Sequence, residues 1–432
     1  MQATLPLSRP KLDGERLLEG LDTLRGFGRY GSGVRRTSFG EADLASRRWL
    51  CERMRGAGLA ARIDGVGNVV GVSGKAGPAL LLGSHSDTQP VGGYLDGALG
   101  VIAAIEVARA LAVCPATAHL AVDVMSFVDE EGCHYGFLGS LSAAGLMTQA
   151  GLDAALSHAG VPLPELLRAA GLSARVEPLD LTRYAGFLEL HIEQGPWLDD
   201  AGEAVGVVSA IVGARNLDIT THGQMNHAGS TPMARRRDAG RALIALAHEL
   251  DMLLGCFAGP YTVWNFGRME FLPGAAAIVP EEGRLRLQFR DQDEALLDRI
   301  EAAVGELVAA HDGRGGVECR LARSGEPTRA VCMDAGLREA CVHAAQQLAP
   351  GAWRTMPSGA LHDAGILGRV MPAAMLFVPS IGGVSHNVAE ETRHEHLCLG
   401  AEALLSAVLR WAADNGRLAV GGADKQTGAM EC

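Results

Sequence analysis

The stretch LLGSHSDTQPVGGYLDGALGV, residues 81–101, sets His85, Asp87 and Asp96 among glycines and small residues directly after an apolar run. Imidazole nitrogens and carboxylate oxygens in that company are donors for a divalent cation rather than parts of a core strand. Two further groups of the same chemistry follow, Glu130 and Glu131 in SFVDEEG and His191 in ELHIEQGP. His386, in FVPSIGGVSHN, completes a set without a thiolate. His85, Asp96, Glu131, His191 and His386 are enough ligands for two metals with Asp96 shared, the arrangement of two-metal hydrolases. Adjacent Glu130 and Glu131 can divide the work, one binding metal and the other facing the attacking water. Asp87, two residues from His85, is expected to orient that imidazole from behind. His158, His248, His311 and His343 stand in plain helical or loop contexts and take a structural reading.

The elements around these groups explain why they can meet. PALLLGSH, HLAVDVMSFVDEEG and AGFLELHIEQGP read as strands that end in polar groups, and GALGVIAAIEVARALAV as a buried helix. Strands alternating with helices predict a mostly parallel α/β sheet, whose ligands bind beyond the carboxyl ends of its strands. From about residue 212 the pattern changes to β-α-β-β-α-β, a ferredoxin-like α+β unit. The first pattern resumes near 330. The expected organisation is a catalytic domain over 1–211 and 330–418, an inserted domain over 212–329, and a loose tail over 419–432.

Composition narrows the function classes. At 432 residues, two domains are the default, and a net charge of −12 argues against a nucleic-acid partner. Only Lys11, Lys75 and Lys425 among the 38 basic residues are lysines, and none lies in a motif. Nine scattered cysteines without a C-x-x-C pair read as reduced thiols. No apolar run reaches membrane-spanning length and the N-terminal stretch has no signal-peptide core, so a cytoplasmic protein without a membrane partner is expected.

The motifs GSHSDTQPVGGYLDGALGV, SFVDEEG, ELHIEQGP, NHAGSTPM, SGALHDAG and FVPSIGGVSHN occur in the order seen in M20-type metallo-amidohydrolases. The chain resembles most the branch of N-carbamoyl-L-amino acid amidohydrolases, β-ureidopropionases and allantoate amidohydrolases, from about residue 15 to 415. His191 is the branch-specific mark. The resemblance implies one metal on His85, Asp96 and His191 and a second on Asp96, Glu131 and His386. It makes Glu130 the general acid/base and places Gln194, His227, Arg290, Ser358 and Gly359 against substrate. It also implies that the inserted domain is a lid and dimerisation domain, with His227 acting in the partner's site of a homodimer.

The expected reaction is hydrolysis of the carbamoyl C–N bond of an N-carbamoyl-L-amino acid, giving amino acid, carbon dioxide and ammonia. The alternatives are allantoate-type ureido cleavage and N-acyl amino acid cleavage, with a non-catalytic binding protein as the reading from another class. Zinc is the first expectation for the metal, and manganese, cobalt or nickel accept the same donors. Arg290 suits a substrate carboxylate, because its planar fork grips both oxygens. Three positions depart from the family pattern. Ala277 stands where an asparagine is usual, Gln288-Phe289-Arg290 replaces D-x-R, and Leu361 interrupts S-G-A-G-H-D.

Overall fold

The structure is a computed structural model that describes residues 9–418. The predicted tail at 419–432 lies outside the described residues. The chain divides into two compact units. The first holds the described residues up to Ser209, Met333–Met356 and those from His362 onward, and the second holds Ala210–Cys332 and Pro357–Leu361.

The first unit is mixed α/β. Its sheet runs, neighbour to neighbour, through Val205–Ile211, Ala373–Val378, Tyr184–Ile192, Ala79–His85, Val122–Phe127, Val69–Val72 and Ala60–Ile63. The central four, Ala373–Val378 to Val122–Phe127, are parallel, and antiparallel strands flank them. Every residue of Ala79–His85 and of Val122–Phe127 is buried, as expected for strands covered on both faces. Helix Ala98–Val113 is buried along nearly its whole length. Gly100 lets it press onto the sheet, because a Cβ there would lie 2.4 Å from the Leu190 carbonyl oxygen. From Ala79–His85 the chain moves to one side, to Val122–Phe127, and later returns on the other side as Tyr184–Ile192. The strand order therefore reverses between Ala79–His85 and Tyr184–Ile192, and such reversals open a crevice at the carboxyl ends.

In the second unit the antiparallel sheet has the order Val263–Leu272, Glu282–Asp291, Gly213–His222, Glu318–Arg323. Helices Ala239–Phe257 and Glu294–His311 cover one face. Asp238 and Asp293 cap them by accepting main-chain N–H groups of the first turn. Leu243, Leu246, Leu250 and Leu254 form the helical stripe that meets Leu217, Ile219, Leu285, Leu287 and Phe289 of the sheet. Asn226–His227 pairs with Ile278–Val279 as a separate two-stranded piece that no periodicity in the sequence announces. Among the described residues no helix is long and apolar enough to cross a membrane.

Candidate functional site

His85 ends its strand and His191 lies one residue from the end of the neighbouring strand, so both imidazoles project at the point of strand reversal. Asp96 returns to them on the loop that leads into helix Ala98–Val113. Gly97 caps that helix in the left-handed region with φ of 65°, and a Cβ there would sit 2.4 Å from His85 Nε2. Only glycine fits between the imidazole and the helix.

Asp96 is the centre of the arrangement. Its Oδ1 lies 3.1 Å from His191 Nε2 and 3.5 Å from His85 Nε2, while its Oδ2 lies 3.0 Å from His386 Nε2. Glu131 Oε2 is 3.3 Å from the same His386 nitrogen. Two groups of donor atoms, His85/Asp96/His191 and Asp96/Glu131/His386, are each compact enough to hold a metal ion, and they share Asp96. The imidazoles are turned for this. His85 Nδ1 meets the Asp87 carbonyl oxygen at 3.1 Å and His191 Nδ1 that of Ile192 at 2.8 Å, so each Nδ1 carries hydrogen and each Nε2 points its lone pair inward. Lone pairs facing a carboxylate need a cation between them. Without metal, protons take that place. Burial opposes the charge on His85, yet Glu130, Asp96 and Asp87 hold that imidazole well above its usual range. Burial would raise Asp96, yet His191, His386 and His85 hold it well below the carboxylate range. The donor set fits a divalent cation on chemistry as well as distance. Gln194 enters the same space. Its Nε2 donates to Asp96 Oδ2 at 2.9 Å, and its Oε1 is buried with no hydrogen-bond partner among the described residues. Asp129, Gln194 and His386 are non-glycine residues in the left-handed region, a strain of about 1–3 kcal/mol each that packing must sustain.

Glu130 is buried and faces His85 Nε2 at 3.6 Å. Burial pushes its carboxyl well above the ordinary range, Asp363 and Glu131 add to that, and His85 opposes it. Asp87 differs from the expectation. Its main-chain carbonyl, rather than its carboxylate, meets the His85 ring. The carboxylate instead accepts the N–H groups of Asp129 and Glu131, at 3.1 and 3.3 Å, and faces buried Arg47 at 3.6 Å. A side chain two residues along an extended segment points the same way as its neighbour's, but the loop turns after His85 and redirects Asp87 to the adjacent strand end.

The remaining predicted residues belong to the second unit, apart from Gln194. His227 is exposed, and its Nδ1 accepts the N–H groups of Gly229 and Ser230, both at 3.1 Å. Its neutral tautomer therefore presents Nε2–H as a donor. Ala277 sits beside it, with its carbonyl accepting Ala228 N–H at 2.8 Å. Arg290 donates to the Gly359 carbonyl at 3.1 Å, and Ser358 Oγ donates to the Ala360 carbonyl at 2.8 Å.

Several supporting groups were not singled out from the sequence. Glu390 Oε1 accepts the N–H groups of Leu95 and Asp96, at 2.9 and 3.1 Å, and its Oε2 accepts Ser385 Oγ–H at 2.8 Å. It ties the loop of Asp96 to the loop of His386. A Cβ at Gly93 would collide with that carboxylate. Glu189 is buried between Ser84 Oγ and Ala364 N, and His362 packs edge-on against His191 with centroids 4.5 Å apart. The signal for Glu390 was its position four residues beyond His386, and for His362 its place in SGALHDAG.

A family model described as Peptidase family M20/M25/M40 matches residues 81–410. An N-carbamoyl-L-amino acid amidohydrolase of Geobacillus stearothermophilus is 33% identical over 92% of this chain and 98% of its own length. An allantoate amidohydrolase of Escherichia coli strain K12 is also 33% identical, over 88% of this chain and 93% of its own. Among solved structures, an amidase of the hydantoinase/carbamoylase family from Burkholderia phymatum superposes with a TM-score of 0.89. It is 46% identical, and the match covers 94% of this chain and 99% of that one.

Proposed function

The chain belongs to peptidase family M20/M25/M40, whose enzymes bind divalent metal ions, and from this premise we propose that it hydrolyses the carbamoyl C–N bond of an N-carbamoyl-L-amino acid. The observation that carries the reading is Asp96, whose two oxygens face two different sets of donors. His85, Asp96 and His191 would hold one ion and Asp96, Glu131 and His386 a second, zinc being the first expectation. When bound, such ions polarise the carbonyl and make water a competent nucleophile at neutral pH.

The chain's own groups supply the rest. Glu130, beside His85, takes the proton of the attacking water and returns it to the leaving nitrogen. Its burial favours holding that proton between the two steps. His227 Nε2–H is the donor for the oxyanion that forms as the planar carbon becomes tetrahedral. Arg290 grips the substrate carboxylate with two parallel N–H bonds. Loss of amino acid leaves a carbamate, which breaks down to carbon dioxide and ammonia. We assign the second unit the role of lid and dimerisation domain, with His227 serving the partner subunit's site. This assignment rests on the family resemblance.

The curated relatives include carbamoyl and allantoate enzymes at equal identity. The test is ammonia release from metal-loaded enzyme across N-carbamoyl-L-amino acids, allantoate and N-acyl-L-amino acids. Turnover of the carbamoyl compounds at least tenfold above the others is expected. Preference for allantoate would move the assignment to that branch, and turnover of N-acyl compounds alone would overturn carbamoyl chemistry.

A further inference from the structure

The strands of the second unit carry a row of arginines whose charges are compensated with one exception. Arg268, Arg284 and Arg320 each meet a glutamate two residues away on the same strand, Glu270, Glu282 and Glu318, at 2.6–2.7 Å. Arg286 meets Asp218 directly across the strand pair at 2.8 and 3.0 Å. Arg290 instead faces uncharged residues in both directions: Ala214 and Val263 stand directly across from it, and the side chain two residues along its own strand is an amide. The residue two before it is Gln288, and the residue directly across from Gln288 is Asn216. On the other side Gln288 stands opposite Asn265, so a rung of three amides crosses the sheet where the adjacent rung pairs Arg286 with Asp218. Residues directly opposite on neighbouring strands share a face, so these amides are side-by-side neighbours.

The rung is organised. Gln288 Nε2 donates to Asn216 Oδ1 at 2.7 Å, which fixes the orientation of the Gln288 amide. Its Oε1 is thereby turned to Arg290 and accepts Arg290 Nε–H at 2.9 Å. The Gly359 carbonyl accepts from the NH1 end. Among the described residues no carboxylate lies within ion-pair distance of Arg290. Burial is the one influence on its guanidinium, with no acidic neighbour opposing it.

We propose that the Asn216–Gln288 amide pair is a specificity-determining element, which aims the Arg290 fork while leaving its charge free for the carboxylate of a substrate. The inference rests on the reading of Arg290 as the carboxylate anchor and adds what makes that anchor selective. A glutamate in place of Gln288 would keep the shape and the acceptor but compensate the charge, as Glu282 does for Arg284. An incoming carboxylate would then compete with a built-in one. The physical reason for an amide is that it is the only side chain of this shape that accepts from arginine without neutralising it.

The experiment compares N-carbamoyl-L-alanine with its neutral analogue N-carbamoyl-L-alaninamide on metal-loaded enzyme, and reads the ratio of the two kcat/KM values. One preparation turns over both compounds, so the ratio does not depend on the folded fraction. Gln288→Glu is expected to lower the ratio by roughly tenfold to a hundredfold, the span of a hydrogen-bonded charge contact. Asn216→Asp, one residue further from the guanidinium, should lower it less, and it serves if Gln288→Glu does not fold. Arg290→Ala should collapse the ratio altogether. A collapsed ratio in Arg290→Ala with an unchanged ratio in both acidic variants would overturn the role of the amide pair and leave Arg290 as the anchor. An unchanged ratio in Arg290→Ala would overturn the anchor itself, and the inference with it.

Discussion

Glu130 and Glu131 are consecutive residues that face different imidazoles. Glu130 Oε2 lies 3.6 Å from His85 Nε2, and Glu131 Oε2 lies 3.3 Å from His386 Nε2. Gln89 separates them further, because Glu131 Oε2 accepts its side-chain N–H at 2.8 Å and Glu131 Oε1 its main-chain N–H at 3.2 Å. Glu130→Gln should retain metal and lose turnover by on the order of 10²–10⁴-fold, since proton transfer is removed while the donors remain. Glu131→Gln should lose metal affinity first. Metal content by elemental analysis, alongside kcat, checks both. Equal metal loss in the two variants would overturn the division of roles.

Metal binding should release protons at neutral pH. In the metal-free chain His386 is pushed up to about 9 by its hydrogen bond to Asp96, so it carries a proton at pH 7 that a cation must displace. The metal-free site thus holds more protons than the loaded one, and apparent affinity rises with pH. Calorimetric titration with zinc in two buffers of different ionisation enthalpy should give different observed heats. Identical heats would mean that no proton leaves. Chelation should abolish activity and a divalent ion restore it.

Glu390 joins the loops of Asp96 and His386 through three hydrogen bonds. Glu390→Ala should weaken metal binding on the order of 10- to 100-fold, as loss of groups that orient ligands does. Glu390→Gln keeps an acceptor oxygen and should recover part of that loss. A lower melting temperature with unchanged metal affinity in both variants would make the residue a structural brace only.

If His227 serves the neighbouring subunit, Glu130→Gln and His227→Ala homodimers are each nearly inactive for separate reasons. After subunit exchange a mixed dimer has one site with both defects and one with neither. Random mixing should return roughly a quarter of wild-type activity, because about half the dimers are mixed and half their sites intact. Exchange confirmed by mass with no recovery would assign His227 to its own chain.

Much of this was legible before any coordinates. The runs PALLLGSH and GALGVIAAIEVARALAV become Ala79–His85 and Ala98–Val113, because a short apolar run bounded by turn residues suits a strand and a longer, mostly apolar one a helix. In the 213–323 region the predicted strands and helices match the observed ones closely, since alternation and the 3.6-residue stripe are local properties. The candidate metal donors were legible for another reason. Each histidine or acid alone is weak evidence, but several gathered at strand ends without a thiolate, in six ordered motifs, suit a divalent cation.

What only the tertiary structure decided is direction and register. Strand order brought His85 and His191 side by side from positions more than a hundred residues apart in sequence, and the turn after His85 sent the Asp87 carboxylate to Asp129 and Glu131 instead of the imidazole. Glu390 reads as one acid among several until the fold lays it under Leu95 and Asp96. The uncharged rung of Asn216, Gln288 and Asn265 exists only through pairing between three strands. Composition and periodicity act within a few residues along the chain, whereas these contacts depend on how distant segments slide against one another. A shift of one residue along a strand would turn its amide of that rung to the opposite face.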